Sequence, residues 1–95
     1  KEIILFRILQ EALNNIVRHS SASEVIIFLY YVGDSVKMLI QDNGKGFDLS
    51  FIERSRKKIV GGINNMKKRA TLINADFEIE SHPGSGTKII VTSPA

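Results

Sequence analysis

The chain has 95 residues, 43% of them hydrophobic and 24% charged, with a net charge of +3, which suffices for one domain with one core and is too little for two. It has no cysteine and two histidines, which excludes a disulfide scaffold, a thiol nucleophile and a cysteine zinc site; no apolar run is long enough to span a bilayer, and the mixed charges and plentiful aliphatics exclude disorder. The positive balance favours an anionic partner, whether nucleotide, nucleic acid or phosphoprotein, without choosing among them.

Lys1-Glu2 runs straight into an amphipathic pattern, so no signal peptide is expected. Leu5, Phe6, Leu9, Ala12, Leu13, Ile16 and Val17 recur at three- and four-residue spacing, which predicts a helix over residues 2–19. Ser20-Ser21-Ala22-Ser23 breaks it. Residues 24–32 are β-branched and aromatic and apolar on both faces, a strand expected to be buried on both sides. Gly33-Asp34-Ser35 is a turn, and Val36, Met38 and Ile40 then alternate with Lys37, Leu39 and Gln41, so an antiparallel hairpin is expected. Asp42 to Phe47 is a glycine loop. Residues 48–60 lack a sustained apolar stripe and are expected to form a basic, mobile lid, with Gly61-Gly62 as a hinge or a tight approach. Ile63, Met66, Ala70 and Ile73 share one face of a second helix, which Asn74 stops in a left-handed conformation. Phe77 and Ile79 mark a third strand, 82–86 a turn, and Ile89 and Val91 a last strand over 87–92. Two helices over one face of a four-stranded, mostly antiparallel sheet make a two-layer α/β sandwich of the α+β type.

Three places carry candidate chemistry. Glu11, Asn14, Asn15, Arg18 and His19 fall on one helical stripe. Such stripes are usually solvated, but two adjacent Asn residues lower helix propensity without a local return. An amide oxygen beside a carboxylate suits a hard cation such as Mg²⁺. Asp42 continues the face of Val36, Met38 and Ile40, where a carboxylate is expensive unless paired; an adenine amino group is a suitable donor. Gly44 and Gly46 let the backbone approach a ligand, although a lone G-x-G is weak and neither the dinucleotide fingerprint nor a P-loop is present. Pro83-Gly84-Ser85-Gly86-Thr87 is by itself a turn, and His82 reads as a surface turn residue.

Taken in order, these segments resemble the catalytic ATP-binding domain of bacterial sensor histidine kinases, within the GHKL ATPase superfamily. Gln10 to His19 resembles its N box, Asp42 to Asp48 its first glycine box, Gly61 to Ala70 the second, and Pro83 to Thr87 the third. The Arg-His ending of the N box, the short lid and Met-x-x-Arg-Ala are most similar to the subfamily partnered with helix-turn-helix response regulators. The resemblance covers residues 1–95 as a single domain with a GHKL-type fold and a lid at about 48–60. It implies a histidine protein kinase domain that binds Mg-ATP and supplies the γ-phosphate to a histidine. Asn15 would coordinate Mg²⁺, and Glu11 would hold a metal-bound water or polarise the reaction. Arg18 and His19 would contact phosphate or ribose, Asp42 would accept the adenine amino hydrogen, Gly44 and Gly46 would admit the base, Gly62 would face the phosphates, and Thr87 would bond the adenine edge.

Two departures accompany the resemblance: Val60 stands where the second box usually begins with glycine, and Ile63 replaces a leucine. Helices with the phosphoacceptor histidine are not found in these residues, so the chain is expected to bind ATP without phosphorylating itself. The implied partners are its own dimerisation and phosphoacceptor domain and a downstream response regulator. The implied place is the cytoplasm, with no direct membrane contact and no nucleic acid. A serine kinase of the anti-sigma type would use the same pocket. A different class, a basic module that stacks RNA on Phe28, Tyr30 and Tyr31, is disfavoured because that strand is expected to be doubly buried.

Overall fold

The computed structural model describes residues 2–46 and 58–94. Helix α1 spans Glu2–Asn15 and runs into a π-helical turn, Ile16–Ser20. Strands β1 (Val25–Val32) and β2 (Ser35–Asp42) follow, then helix α2 (Lys58–Leu72) and strands β3 (Asp76–Ser81) and β4 (Thr87–Pro94). The sheet has the order β1-β2-β4-β3 and each pairing is antiparallel. The expected two-layer α+β sandwich is therefore the observed one.

The core lies between the helices and one face of the sheet. α1 contributes Leu5, Ile8 and Ala12, α2 contributes Ile63, Met66 and Ala70, and β2 and β4 contribute Val36, Met38, Ile40, Ile89 and Val91. The face of α2 is the one its sequence spacing predicts. That of α1 is rotated: Ile8 is fully buried, whereas Phe6 and Val17 are 58% and 83% exposed. Leu5, Ile8 and Ala12 stand at i, i+3 and i+7 and share one stripe, which leaves Phe6 beside it. Val17 sits in the π-helical turn, whose i→i+5 bonding breaks the α-helical phase.

β1 corrects the expectation of a doubly buried strand. Its residues are exposed from 39% at Val25 to 74% at Tyr31. It is an edge strand, bonded to β2 alone, and the core cluster draws its sheet residues from β2 and β4 with Phe77 and Ile79 of β3 at the border. The opposite edge, β3, carries the exposed acids Asp76, Glu78 and Glu80, a charge pattern that protects an edge from strand pairing.

α2 also begins earlier than its sequence pattern suggests. Lys58, Ile59 and Val60, expected in the lid, are helical, and Gly61 and Gly62 continue the helix instead of forming a hinge. The rest of the expected lid lies outside the described residues. The other end of α2 agrees with expectation. Asn74 has a φ of 55°, and the N–H groups of Asn74 and Ala75 donate to the carbonyls of Thr71 and Ala70, the 5→2 and 6→1 bonds of a Schellman stop. Among the described residues, no helix is long and apolar enough to cross a membrane.

Candidate functional site

Strand register assembles the site. Asp42 is the last residue of β2 and pairs with Val25 on one side and Thr87 on the other, and Thr87 pairs with Ser81 of β3. Asp42, Thr87 and Ser81 thus form a polar row across one end of the sheet. One step inward runs an apolar row, Ile40, Ile89 and Ile79. Residues two apart on a strand face the same side, so the polar row closes the end of the isoleucine floor beneath the helices. Ala12 and Asn15 of α1 and Ile63 and Met66 of α2 form the roof of a cavity over that floor.

Asp42 is 5% exposed, as its place in the register requires. The Gly44 N–H donates to its Oδ1 at 2.8 Å. Among the described residues no buried side-chain nitrogen or oxygen lacks a partner, and the Asp42 carboxylate lines the cavity. Thr87 is half-buried; its hydroxyl oxygen lies 2.9 Å from that of Ser81, which donates to the Gly86 carbonyl at 3.0 Å. Sequence reading missed Ser81, although its alternation with Phe77 and Ile79 places it on the inward face. Ser20, also missed, carried no local signal: it is buried at the end of the π-helical turn and lines the cavity.

The glycines of the mouth fit against protein backbone as well as around the cavity. Gly46 and Gly86 have φ of 64° and 75°, and a Cβ there would strike the carbonyls of His82 and Asp42 respectively. These contacts require glycine twice over, by space and by dihedral. Gly44 lies against Ser20. Gly62 is buried in α2 and faces Asn15: a Cβ on it would sit 3.0 Å from Nδ2 and 3.1 Å from Oδ1 of that amide.

The polar stripe of the first helix does not stay together. Asn15 lines the cavity, while Glu11 and Asn14 line a separate depression with Arg7, Gln10 and Arg69. Arg18 is exposed on the π-helical turn, beyond the point where the helical phase changes. His19 lies on the same turn, and its side chain is outside the described part.

The chain is an antiparallel α+β sandwich with a cavity between the helices and the sheet and a buried carboxylate at one end. The chain belongs to the family of histidine kinase-, DNA gyrase B- and HSP90-like ATPases, which it matches over residues 1–95. It is 44% identical over 90 residues to the sensor protein VraS of Staphylococcus aureus, covering 95% of this chain and 25% of that protein. The VraS of Staphylococcus haemolyticus gives the same identity and coverage. The chain thus spans about a quarter of the length of the curated relatives it matches. Many solved structures share the fold. The ATP-binding domain of PrrB from Mycobacterium tuberculosis superposes with a TM-score of 0.76 at 21% identity, over 98% of this chain and 68% of that one. The histidine kinase domain of a blue-light-activated kinase from Erythrobacter litoralis superposes at 0.77 and 14% identity, over 96% and 43%.

The residues fit an adenine nucleotide. The isoleucine floor and the Met66 roof offer two apolar faces to a planar base, and the Asp42 carboxylate, which lines the same cavity, offers an acceptor at its edge. No cluster of three or more His, Asp or Glu suited to a metal occurs among the described residues. The Asn15 amide, which lines the cavity, offers one oxygen of the kind that suits Mg²⁺ arriving with phosphate and water ligands.

Proposed function

We propose that this domain binds Mg-ATP in the cavity and presents the γ-phosphate to a histidine on a dimerisation and phosphoacceptor domain of the longer polypeptide. Transfer to the imidazole nitrogen leaves ADP in the site, and the phosphoryl group then passes to a response regulator. The observation that carries this reading is the buried Asp42, a carboxylate that lines the same cavity as Ile40, Ile79, Ile89 and Met66. Asp42 accepts the exocyclic amino hydrogen of adenine, and Thr87, steadied by Ser81, bonds the same edge of the base. At the other end Asn15 offers its amide oxygen to Mg²⁺, and Glu11, one turn before it on α1 although it lines the separate depression, holds a metal-bound water or helps to polarise the reaction. Arg18 and His19 contact phosphate or ribose. Gly62 acts by leaving room for the Asn15 amide, which refines its expected place beside the phosphates. As in other phosphoryl transfers, the protein contributes mainly positioning and charge neutralisation. The cytoplasm, where ATP is available, is the proposed place of this domain.

The rival reading as an RNA module gains from the exposure of Phe28 and Tyr30 and loses to charge. Those two residues face away from the helices, on the side of the sheet that carries Lys37 and Lys88 beside Asp76, Glu78 and Glu80, so the face has no cationic excess to hold a phosphate backbone. Calorimetry separates the two. A non-hydrolysable ATP analogue should bind with an affinity that rises when Mg²⁺ is added, and single-stranded RNA should not bind at moderate salt. RNA binding that weakens steeply with salt, with no nucleotide binding, would overturn the proposal.

A further inference from the structure

Asn43 follows the buried Asp42 and is itself exposed, yet its side chain makes three hydrogen bonds. The N–H groups of Ser23 and Glu24 donate to Oδ1 at 2.9 and 3.0 Å, and Nδ2 donates to the Ser23 hydroxyl at 2.9 Å. Asparagines in turns ordinarily bond to backbone two or so residues away. Here the partners are 19 and 20 residues distant in sequence, so the amide joins two loops instead of closing its own turn.

Main-chain bonds reinforce that junction. The Asn43 N–H donates to the Glu24 carbonyl at 3.3 Å, and the Lys45 N–H donates to the Ser20 carbonyl at 2.7 Å. On the far side, the Gly84 N–H donates to the Lys45 carbonyl at 2.5 Å. The backbone before Asp42 is fixed by pairing with β1 and β4; the backbone after it depends on these loop contacts. One of them, the Gly44 N–H on Asp42 Oδ1, sets the rotation of the carboxylate itself. Whatever holds residues 43 and 44 therefore sets where the second oxygen points.

We propose that Asn43 is a positioning residue. By clasping the segment at Ser23 and Glu24 it holds Gly44 against Asp42, and it thereby sets the preference of the site for a 6-aminopurine over a 6-oxopurine. The proposal rests on the reading that Asp42 accepts the adenine amino hydrogen. A clasp that only stabilised the fold would lower affinity for both bases alike. One that aims the carboxylate changes their ratio, because a 6-oxo group presents an acceptor where the amino group presents a donor.

The test titrates ADP and inosine diphosphate into the wild-type domain and into Asn43→Ala and Asn43→Asp by calorimetry, with circular dichroism as the check on folding. Wild type should favour ADP by about tenfold or more, and Asn43→Ala should narrow that preference to about threefold or less. Asn43→Asp keeps an acceptor for both N–H groups and can accept from the Ser23 hydroxyl, so it should retain the preference. Should Asn43→Ala not fold, Asn43→Ser, too short to span both N–H groups, takes its place under the same criterion. Full preference in the alanine or serine variant, or its loss in the aspartate variant, overturns the role of Asn43. A wild-type domain that does not distinguish the two nucleotides overturns the underlying reading of Asp42 instead.

Discussion

Gly62→Ala separates stability from function because the structure gives the substitution opposite signs in the two. Gly62 lies inside α2 without a left-handed φ, so alanine is conformationally welcome there and improves helix propensity by about 0.8–1 kcal/mol. The new methyl group would stand 3.0 and 3.1 Å from the two ends of the Asn15 amide, closer than carbon ordinarily comes to nitrogen or oxygen. The obstacle is the end of a side chain and not backbone, so Asn15 can retreat by rotation. The nucleotide-free domain should then melt higher, by about 4–8 °C for each kcal/mol gained in a domain of this size. The retreat draws the amide oxygen from its place at the cavity rim. Affinity for the ATP analogue with Mg²⁺ should fall about three- to tenfold, the value of a hydrogen bond or ligand contact made imperfectly, while metal-free binding changes little. Differential scanning fluorimetry and calorimetry of the same preparation read both effects. Unchanged Mg-dependent affinity would show that the position of Asn15 does not matter to the metal, and a lower melting temperature would show that the amide cannot yield.

Two further substitutions probe the same site. Asn15→Ala should abolish most of the gain in nucleotide affinity that Mg²⁺ provides and leave metal-free binding nearly as it was; equal losses in paired titrations would remove Asn15 as the metal's ligand. Gly86→Ala combines a φ of 75° with a collision against the Asp42 carbonyl, so it should destabilise the domain by about 2 kcal/mol or more. A urea midpoint equal to that of the wild type would contradict this.

The sequence revealed most where periodicity and burial coincide. The face of α2, the hairpin of β1 and β2 and the stop at Asn74 follow from spacing and from one left-handed residue. Asp42 stood out because a carboxylate interrupts an otherwise apolar register, and the structure finds it buried there. Three features were not legible. The π-helical turn after Asn15 has no residue signature, so a stripe drawn at α-helical spacing runs on to Arg18 and His19, which lie past the point where the phase changes. The exposure of β1 depends on which strand falls at the edge and on how far two helices reach across the sheet; composition records neither, and an apolar run reads as buried. The contacts of Gly62 with Asn15 and of Asn43 with Ser23 lie between segments far apart in sequence, where local reasoning assigns each residue to its own turn or helix.

Asp42→Asn, titrated with ADP, tests the central claim most directly. The substitution is nearly isosteric and keeps an oxygen for the Gly44 N–H, so the fold should survive, as circular dichroism would confirm. The position offered to the base then carries an NH₂ group, and two donors face each other where a donor met an acceptor. Affinity for ADP should fall at least about tenfold and up to a hundredfold, the consequence of a buried partner left unsatisfied at about 1–3 kcal/mol. An affinity equal to that of the wild type, in a folded protein, would contradict the assignment of this cavity to adenine.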